Sequence, residues 1–262
     1  MKTKTILQIL VIFTVALASF SCSLLSKKYE KREKVEYTIN SIGKTKLVLD
    51  NTSGHINVSR SDSVKGLIIN AEKIGRVKKK DLDKPLENLT IDMDTSGSVI
   101  TVTSHVAKDK SWIHFDFHTD NEINYDIKLP PWLALSVESV NGDISIGSIQ
   151  NESDINLVNG DIRFDNLSGT QSLSVTNGSI KGTIDTVKNL KLDVVNGKVA
   201  LNIGKAYTGE VKADVVNGKI SYDSLTISDV SSDKKSMHGY IGNKQNEISI
   251  SVVNGKISLT GK

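Results

Sequence analysis

Cysteine, proline and aromatic residues are scarce in this sequence. Its 262 residues include one cysteine and three prolines, and aromatic residues make up 5% of the chain. A single thiol excludes an internal disulfide and any CxxC metal or redox site. The low proline content is not typical of a linker-rich assembly. The length of the chain leaves room for one large domain or two small ones.

The sequence also lacks a strong charge imbalance. It has 33 basic and 30 acidic residues, which leaves a formal charge of +3. Because nucleic acid is bound by a concentrated basic face, this balance argues against a nucleic-acid partner. The lysine-rich stretches at 27–34 and 78–83 both contain acidic residues, and we interpret them as solvated surface.

Catalytic signatures are missing as well. The sequence has no Gly-x-Ser-x-Gly elbow, no glycine-rich phosphate loop and no cysteine other than Cys22. Asp92 and Asp94 lie in an alternating stretch and are interpreted as the solvated face of a strand rather than as an acid and base pair. We therefore predict that the protein is not an enzyme and uses no cofactor.

The amino-terminal segment predicts export. Lys2 and Lys4 precede an apolar stretch at 6–18, which has signal-peptide length and is short for a membrane span. Ser19, Phe20 and Ser21 then lead to Cys22, as in a bacterial lipobox, where the thiol receives a diacylglycerol. We predict a signal peptide at 1–21 and a lipid-anchored tether at 22–35. The alternative is an ordinary secretory peptide cleaved near Ala18.

An Asn-Gly dipeptide recurs through the second half of the chain. Successive copies are 18, 18, 19, 21 and 37 residues apart, and the last gap, close to two periods, suggests a repeat that has lost its dipeptide between 228 and 246. The pairs are Asn141-Gly142, Asn159-Gly160, Asn177-Gly178, Asn196-Gly197, Asn217-Gly218 and Asn254-Gly255.

The residues around each dipeptide repeat with a period of two, which is typical of strands. The positions four residues before and three residues after each Asn are always apolar, as in Val137 and Ile144. The position after each Gly is never apolar, and its charge changes sign along the chain. Its occupants are Asp143, Asp161, Ser179, Lys198, Lys219 and Lys256.

Two folds fit these repeats. Each Asn-Gly is either a hairpin turn in an antiparallel meander or sandwich, or a corner in a parallel β-solenoid. A hairpin turn tolerates Asp-Gly or Gly-Gly equally well, so the recurrence of Asn favours the all-β, parallel β-solenoid or β-helix-like fold. In that fold we expect the asparagines to point inward and to hydrogen-bond in a ladder at a spacing of about 4.8 Å. The glycines would turn the corner, and the β-branched row before each Asn would point outward.

The first half of the chain contains weaker copies of the same unit. We predict degenerate repeats at 36–130 and regular repeats at 131–262, with the boundary at Pro130-Pro131. Ser53-Gly54 and Ser96-Gly97 stand where the later repeats have Asn-Gly. The stretch near 71–88 breaks the alternation and predicts a polar insertion.

Several segments resemble the DUF4097 family of β-strand repeat proteins, which are often labelled adhesins. They are YDIKLP at 125–130, LSV at 135–137, VNGDI at 140–144, HGYIG at 238–242 and ISISVVNGKI at 248–257. The likeness covers roughly residues 36 to 262. It implies a β-solenoid or β-helix-like domain on an exported bacterial protein and implies no reaction.

One segment carries a weak metal candidate. On a strand, His114, Asp116 and His118 would share a face and could ligate a metal ion. An edge strand with a polar solvent face explains the same pattern, because the intervening residues are apolar. We therefore predict no metal site.

Together these features predict a lipid-anchored β-solenoid that acts as an adhesin-like or envelope-scaffold protein. Its partners would be the membrane, through lipid on Cys22, and a protein or carbohydrate ligand. The expected location is the bacterial cell envelope, with the outer membrane favoured over a secreted or periplasmic form. The alternatives are an envelope carbohydrate-active enzyme on a β-helix and a sensory or regulatory envelope protein.

Overall fold

The structure is a computed structural model that describes residues 28–61, 66–106 and 121–262. The expected signal peptide, Cys22 and the candidate ligands His114, Asp116 and His118 lie outside the described residues. The described elements are β-strands and one 3-10 helix at Lys79–Asp81. The strands are β1 (Lys28–Asn40), β2 (Lys46–Ser53), β3 (Ile56–Arg60), β4 (Gly66–Lys78), β5 (Leu89–Asp94), β6 (Val99–Val106), β7 (Glu122–Leu129), β8 (Ala134–Asn141), β9 (Ile144–Gly147), β10 (Ser153–Asn159), β11 (Ile162–Asp165), β12 (Thr170–Ile184), β13 (Asn189–Ile203), β14 (Gly209–Asp223), β15 (Ser228–Ser232), β16 (Ser236–Ile241) and β17 (Glu247–Gly261).

The chain winds into coils, and each coil supplies one strand segment to a first face and one to a second face. On the first face, β8, β10 and the first half of β12 pair in parallel. On the second face, β9, β11 and the second half of β12 pair in parallel. The strands β12, β13, β14 and β17 each run 15 residues and pass through the corner between the faces. The all-β, solenoid-like prediction is confirmed.

The coils do not stack in the order of the chain. Strands β2 and β3 lie between the β6 and β7 coil and the β8 and β9 coil. At the other end, β17 inserts between β13 and β14 and pairs in parallel with both. We call the end with β6 and β7 the proximal end and the end with β14 the distal end.

Antiparallel strands extend both ends of this parallel stack. At the proximal end, β5 pairs with β6, while β4 pairs with β7 and β1 pairs with β4. At the distal end, β16 pairs with β14, and β15 pairs with β16. The long gap before Asn254 is therefore not a degenerate parallel coil, because its residues form the β15 and β16 pair before the chain returns to the stack.

The core lies between the two faces and follows the predicted apolar rows. The row four residues before each Asn is 0 to 1% exposed, as is most of the row three residues after it. Burying each Val, Leu or Ile side chain of these rows contributes about 1.5–3 kcal/mol relative to leaving it in water. The first row is Val137, Ile155, Leu173, Leu192, Ile250 and Ala213 in stacking order.

Three local predictions differ from the structure. The tether predicted at 22–35 overlaps β1, which starts at Lys28. These residues belong to the sheet because the side chains of β1 alternate and the strand pairs with β4. The polar insertion near 71–88 is strand as far as Lys78, since β4 pairs with β1 and β7 on its two sides. Gly97 lies in the connection between the antiparallel strands β5 and β6, not in a corner between the faces.

Candidate functional site: the corner ridge

The most regular exposed feature is the corner where the two faces meet, which we call the ridge. It consists of three parallel rows along the stack: the β-branched residues before each Asn, the asparagines, and the residues after each Gly. The strands that carry it are hydrogen-bonded to neighbouring coils on both faces. Coils are about 4.8 Å apart, so each row repeats at that interval.

The six asparagine side chains hydrogen-bond to one another without a break. From Asn159 onward, each Nδ2 donates to the Oδ1 of the asparagine on the next coil towards the proximal end, and the five distances are 2.9 to 3.0 Å. In stacking order the ladder is Asn141, Asn159, Asn177, Asn196, Asn254 and Asn217.

The ladder lies on the surface, which differs from the inward orientation that the sequence led us to expect. All six asparagines are exposed. The reason is a break in strand alternation. On the first face Leu157 and Asn159 both have register partners in the neighbouring coils, but Val158 between them has none. As a result, two consecutive residues of each coil face solvent, and the expected outward direction of the β-branched row is the one observed.

This β-branched row is an exposed stripe of seven coils. Val140, Val158, Val195 and Val253 are 38 to 42% exposed, and Val216 at the distal end is 57% exposed. Thr52 and Thr176 occupy the same row and are also exposed. A regular line of half-exposed aliphatic side chains offers apolar contact area to a partner.

Glycine is required at the corner by two independent features. The corner glycines Gly54, Gly142, Gly160, Gly178, Gly197 and Gly255 have φ between 121° and 156°, a region that is costly for residues with a Cβ. In addition, a Cβ on any of them, or on Gly218, would overlap the backbone carbonyl oxygen of the adjacent coil. The glycines thus let the coils stack closely enough for the amides to bond.

The row after each Gly has different environments at its two ends. Near the proximal end, Asp143 accepts a hydrogen bond from the backbone N–H of Asp161 at 2.9 Å, and Arg163 binds both carboxylates at 2.9 Å. The backbone N–H of Asp161, and then Arg163, hold the pKa of Asp143 below its usual range. Near the distal end, Lys198, Lys256 and Lys219 are exposed, and no carboxylate of the described residues lies within ion-pair distance of them.

The direction of the ladder matches the sign change in the neighbouring row. All five amide bonds run in one direction, so their dipoles add, with the N–H ends towards Asn141 and the C=O ends towards Asn217. Aligned amide dipoles favour anions at the N–H end and cations at the C=O end, as they do in a helix. Asp143 lies at the first end and Lys219 at the second.

A groove opens on the second face at the proximal base of the ridge. Its volume is about 770 Å³, and its lining includes His55, Asn57, Asn124, Asp126 and Arg163. His55 occupies the ridge row after Gly54, and its Nδ1 accepts a hydrogen bond from the backbone N–H of Asp143 at 3.2 Å. The alignment of Ser53-Gly54 with the Asn-Gly pairs could have placed His55 on the ridge, but nothing in the sequence indicated the groove.

Four carboxylates also border this groove, and three of them have polar partners. Glu72 is bound by Arg32 at 3.0 Å, Asp143 by Arg163 at 2.9 Å, and Asp126 by the amide of Asn57 at 3.1 Å. The fourth is Glu36. A general acid needs a raised pKa, and that of Asp143 is shifted in the opposite direction.

A second polar cluster lies on the first face near the distal end. Glu210 is bound by Lys212 at 2.9 Å, by His238 at 2.6 Å and by Tyr240 at 3.2 Å. Hydrogen bonds from Lys212, then His238, lower the pKa of Glu210 to about 2. The cluster joins β14 to β16, so it fastens the antiparallel extension to the stack. Sequence reasoning missed it because the pairing of β14 with β16 was not expected.

The part of the chain that the structure describes has neither a cluster of metal ligands nor a helix that could span a membrane. No three or more His, Cys, Asp or Glu side chains there are grouped so that they could hold a metal ion. No helix of these residues has the length and apolar character needed to cross a membrane.

Fold and ridge together define a solenoid-like β-repeat protein with an ordered, exposed corner. The chain belongs to the DUF4097 family, described as Toastrack, whose sequence profile matches residues 31–260. The resemblance noted in the sequence is therefore confirmed. A search of curated proteins finds no match.

Several solved structures are similar to this chain. A proposed cell adhesion protein of Clostridium sporogenes is 14% identical, with a TM-score of 0.46, over 90% of this chain and 100% of that chain. A proposed adhesin of Bacteroides fragilis is 10% identical, with a TM-score of 0.31, over 88% of this chain and 97% of that chain. These values are too low to carry an argument, so the family assignment rests on the sequence profile.

Proposed function

We propose that this is an exported, lipid-anchored and non-catalytic protein that binds an extended partner at the bacterial cell envelope, as an adhesin-like or scaffold protein. The observation that carries the proposal is the exposed amide ladder with its flanking rows. An exposed row that repeats without change over six coils presents the same groups to a partner at each step. This suits a partner that is itself repetitive.

The ridge is also ordered before any partner binds. Each interior amide of the ladder donates to one neighbour and accepts from the other, which restricts its rotamers. Ordering side chains at an interface costs about 0.5–1.5 kcal/mol for each flexible side chain. The asparagine amides are already ordered by the ladder, so binding adds little of this cost for them. The rigid stack therefore favours surface binding over a role as a passive spacer.

The proposed anchor would set the direction in which the protein projects. Cys22 precedes the start of β1 at Lys28 by six residues, and six extended residues span at most about 22 Å. Because β1 lies at the proximal end, lipid on Cys22 would hold that end near the membrane. The distal part of the ridge would then face away from it.

Substitutions on the ridge are expected to weaken binding to the envelope. The triple change Val158→Glu, Thr176→Glu and Val253→Glu adds charge to the apolar stripe and should weaken binding at least about tenfold, which equals about 1.4 kcal/mol. Cosedimentation of the purified protein with bacterial envelope fragments measures the effect, in a Cys22→Ala background that removes the proposed lipid. A matched control, Asn156→Glu, Ser174→Glu and Ser251→Glu, alters the same coils two residues away on the first face. Equal loss in both triples would contradict a specific role for the ridge.

Lipid attachment can be tested separately from binding. Cells that express the chain and are fed labelled palmitate should label the wild type and not a Cys22→Ala variant, which should move to the soluble fraction. Because the diacylglycerol is attached to this thiol, the expected difference is complete rather than partial. Equal labelling of the two proteins would remove the anchor from the proposal and leave the ridge untouched.

The second candidate is an envelope carbohydrate-active enzyme, and the carboxylates of the proximal groove favour it. In such an enzyme, Glu36 or Asp126 would serve as acid or base. Release of reducing ends from envelope polysaccharide by the wild type, and its loss in Asp126→Asn, would support this candidate over the binding function.

A further inference from the structure

We propose that the distal part of the ridge binds a linear acidic polysaccharide along the stack. The site consists of Lys198, Lys256 and Lys219, which we call the lysine strip. This inference rests on the proposed function and names the ligand class of the ridge.

The lysine strip is a single file of charges on a rigid support. Lys198 is the register partner of Lys256 on β17, and Lys256 is the partner of Lys219 on β14. Neighbouring lysines are therefore about 4.8 Å apart, on strands that are paired over most of their length. A linear polyanion that lies along the stack can bring its acidic groups next to all three lysines.

The positive charge of the strip is not compensated within the described structure. The acidic end of the same row is neutralised by Arg163, and Lys181 lies 3.8 Å from Asp161. The three lysines have no comparable carboxylate. Like charges directly opposite each other on neighbouring strands repel. A bound polyanion relieves that repulsion, whereas a neutral ligand does not.

The groups beside the strip suit an oxygen-rich ligand. On one side lie Asn196, Asn254 and Asn217, and each amide has a second N–H beyond its ladder bond. On the other side, two residues further along the second face, lie the small residues Ala200, Ser258 and Ser221. The lysines are therefore flanked by amide hydrogen-bond donors on one side and by small side chains on the other.

The shape of the strip favours a polymer over a lipid surface. Anionic membranes are bound by broad clusters of about four to eight basic residues, whereas the strip has three in one line. Its position at the distal end, opposite β1, also turns it away from the membrane under the proposed anchoring.

The test measures binding of the full chain, in neutral detergent, to polygalacturonate, with dextran as the neutral polymer. The wild type should bind polygalacturonate and not dextran. The triple variant Lys198→Gln, Lys219→Gln and Lys256→Gln should bind at least about tenfold more weakly and with a smaller dependence on salt, because fewer counterions are released. The triple Lys→Arg variant at the same positions should retain binding, which shows that the strip tolerates substitution.

The matched control is Lys78→Gln, Lys79→Gln and Lys80→Gln, which removes the same charge from three exposed lysines at the start of the 3-10 helix. Equal weakening by this control would overturn the proposal, because overall charge would then explain binding. Stronger strip-dependent binding to DNA, or to vesicles of phosphatidylglycerol and phosphatidylcholine in equal parts, would overturn the choice of ligand. Wild type that binds no polygalacturonate, while envelope binding still depends on the Val158, Thr176 and Val253 row, would refute this inference and leave the proposed function in place.

Discussion

Replacing Gly160 with alanine is expected to destabilise the protein by about 2–5 kcal/mol, which combines backbone strain with a steric overlap. The φ of Gly160 is 141°, where a Cβ is unfavourable, and the added methyl group would overlap the carbonyl oxygen of Gly142 on the adjacent coil. Because that oxygen belongs to a backbone fixed by pairing on both faces, the overlap is relieved only by separating the coils. Thermal and denaturant unfolding of the purified variant measure the loss.

Two other glycines separate the causes of this effect. Gly147, one coil away, has nothing within 4 Å of an added Cβ and no positive φ, so Gly147→Ala should be nearly neutral. Gly43 has φ 78° with open space around it, so Gly43→Ala should cost about 1 kcal/mol through strain alone. If Gly160→Ala were as mild as Gly43→Ala, close stacking at the corner would not be what requires glycine.

The repeat unit could be predicted from sequence because each coil solves the same packing problem. An apolar residue four positions before Asn and another three after it must face the core in every coil, so their period shows through the variation at other positions. The recurrence of Asn is explained by the ladder, since a side chain of another length would interrupt the row.

The order of the coils could not be predicted in the same way. A repeated motif shows that strands are equivalent, and equivalent strands can be neighbours in any order. The C-terminal strand β17 pairs in parallel with β13 on one side and β14 on the other, and the residues before it form antiparallel strands. Nothing in the Asn254-Gly255 repeat distinguishes this position from the end of the stack.

The direction of the asparagines was predicted incorrectly for a local reason. Strict alternation from Val137 through Ser139 places Asn141 in the core, and this placement would be correct if the strand were straight. The bend leaves Val140 without a register partner and turns both residues outward. Alternation therefore predicts the faces of a solenoid well and its corners poorly, and the candidate site of this protein is a corner.

Phe164 and Gly182 provide the second large effect, because they share one volume in the core. They are register partners on the second face, and the ring of Phe164, 5% exposed, occupies the space that a Cβ on Gly182 would need. Phe164→Ala should cost about 3–5 kcal/mol by leaving a cavity. Gly182→Ala alone should also destabilise the protein, by about 1–3 kcal/mol, through overlap with the ring.

In Phe164→Leu with Gly182→Ala, the smaller partner makes room for the new methyl group, so the double variant should be more stable than the sum of its single changes by about 0.5–3 kcal/mol. Denaturant midpoints of Phe164→Leu, Gly182→Ala and the double variant that combines them test this coupling. Strict additivity would show that the two residues do not compete for the same space.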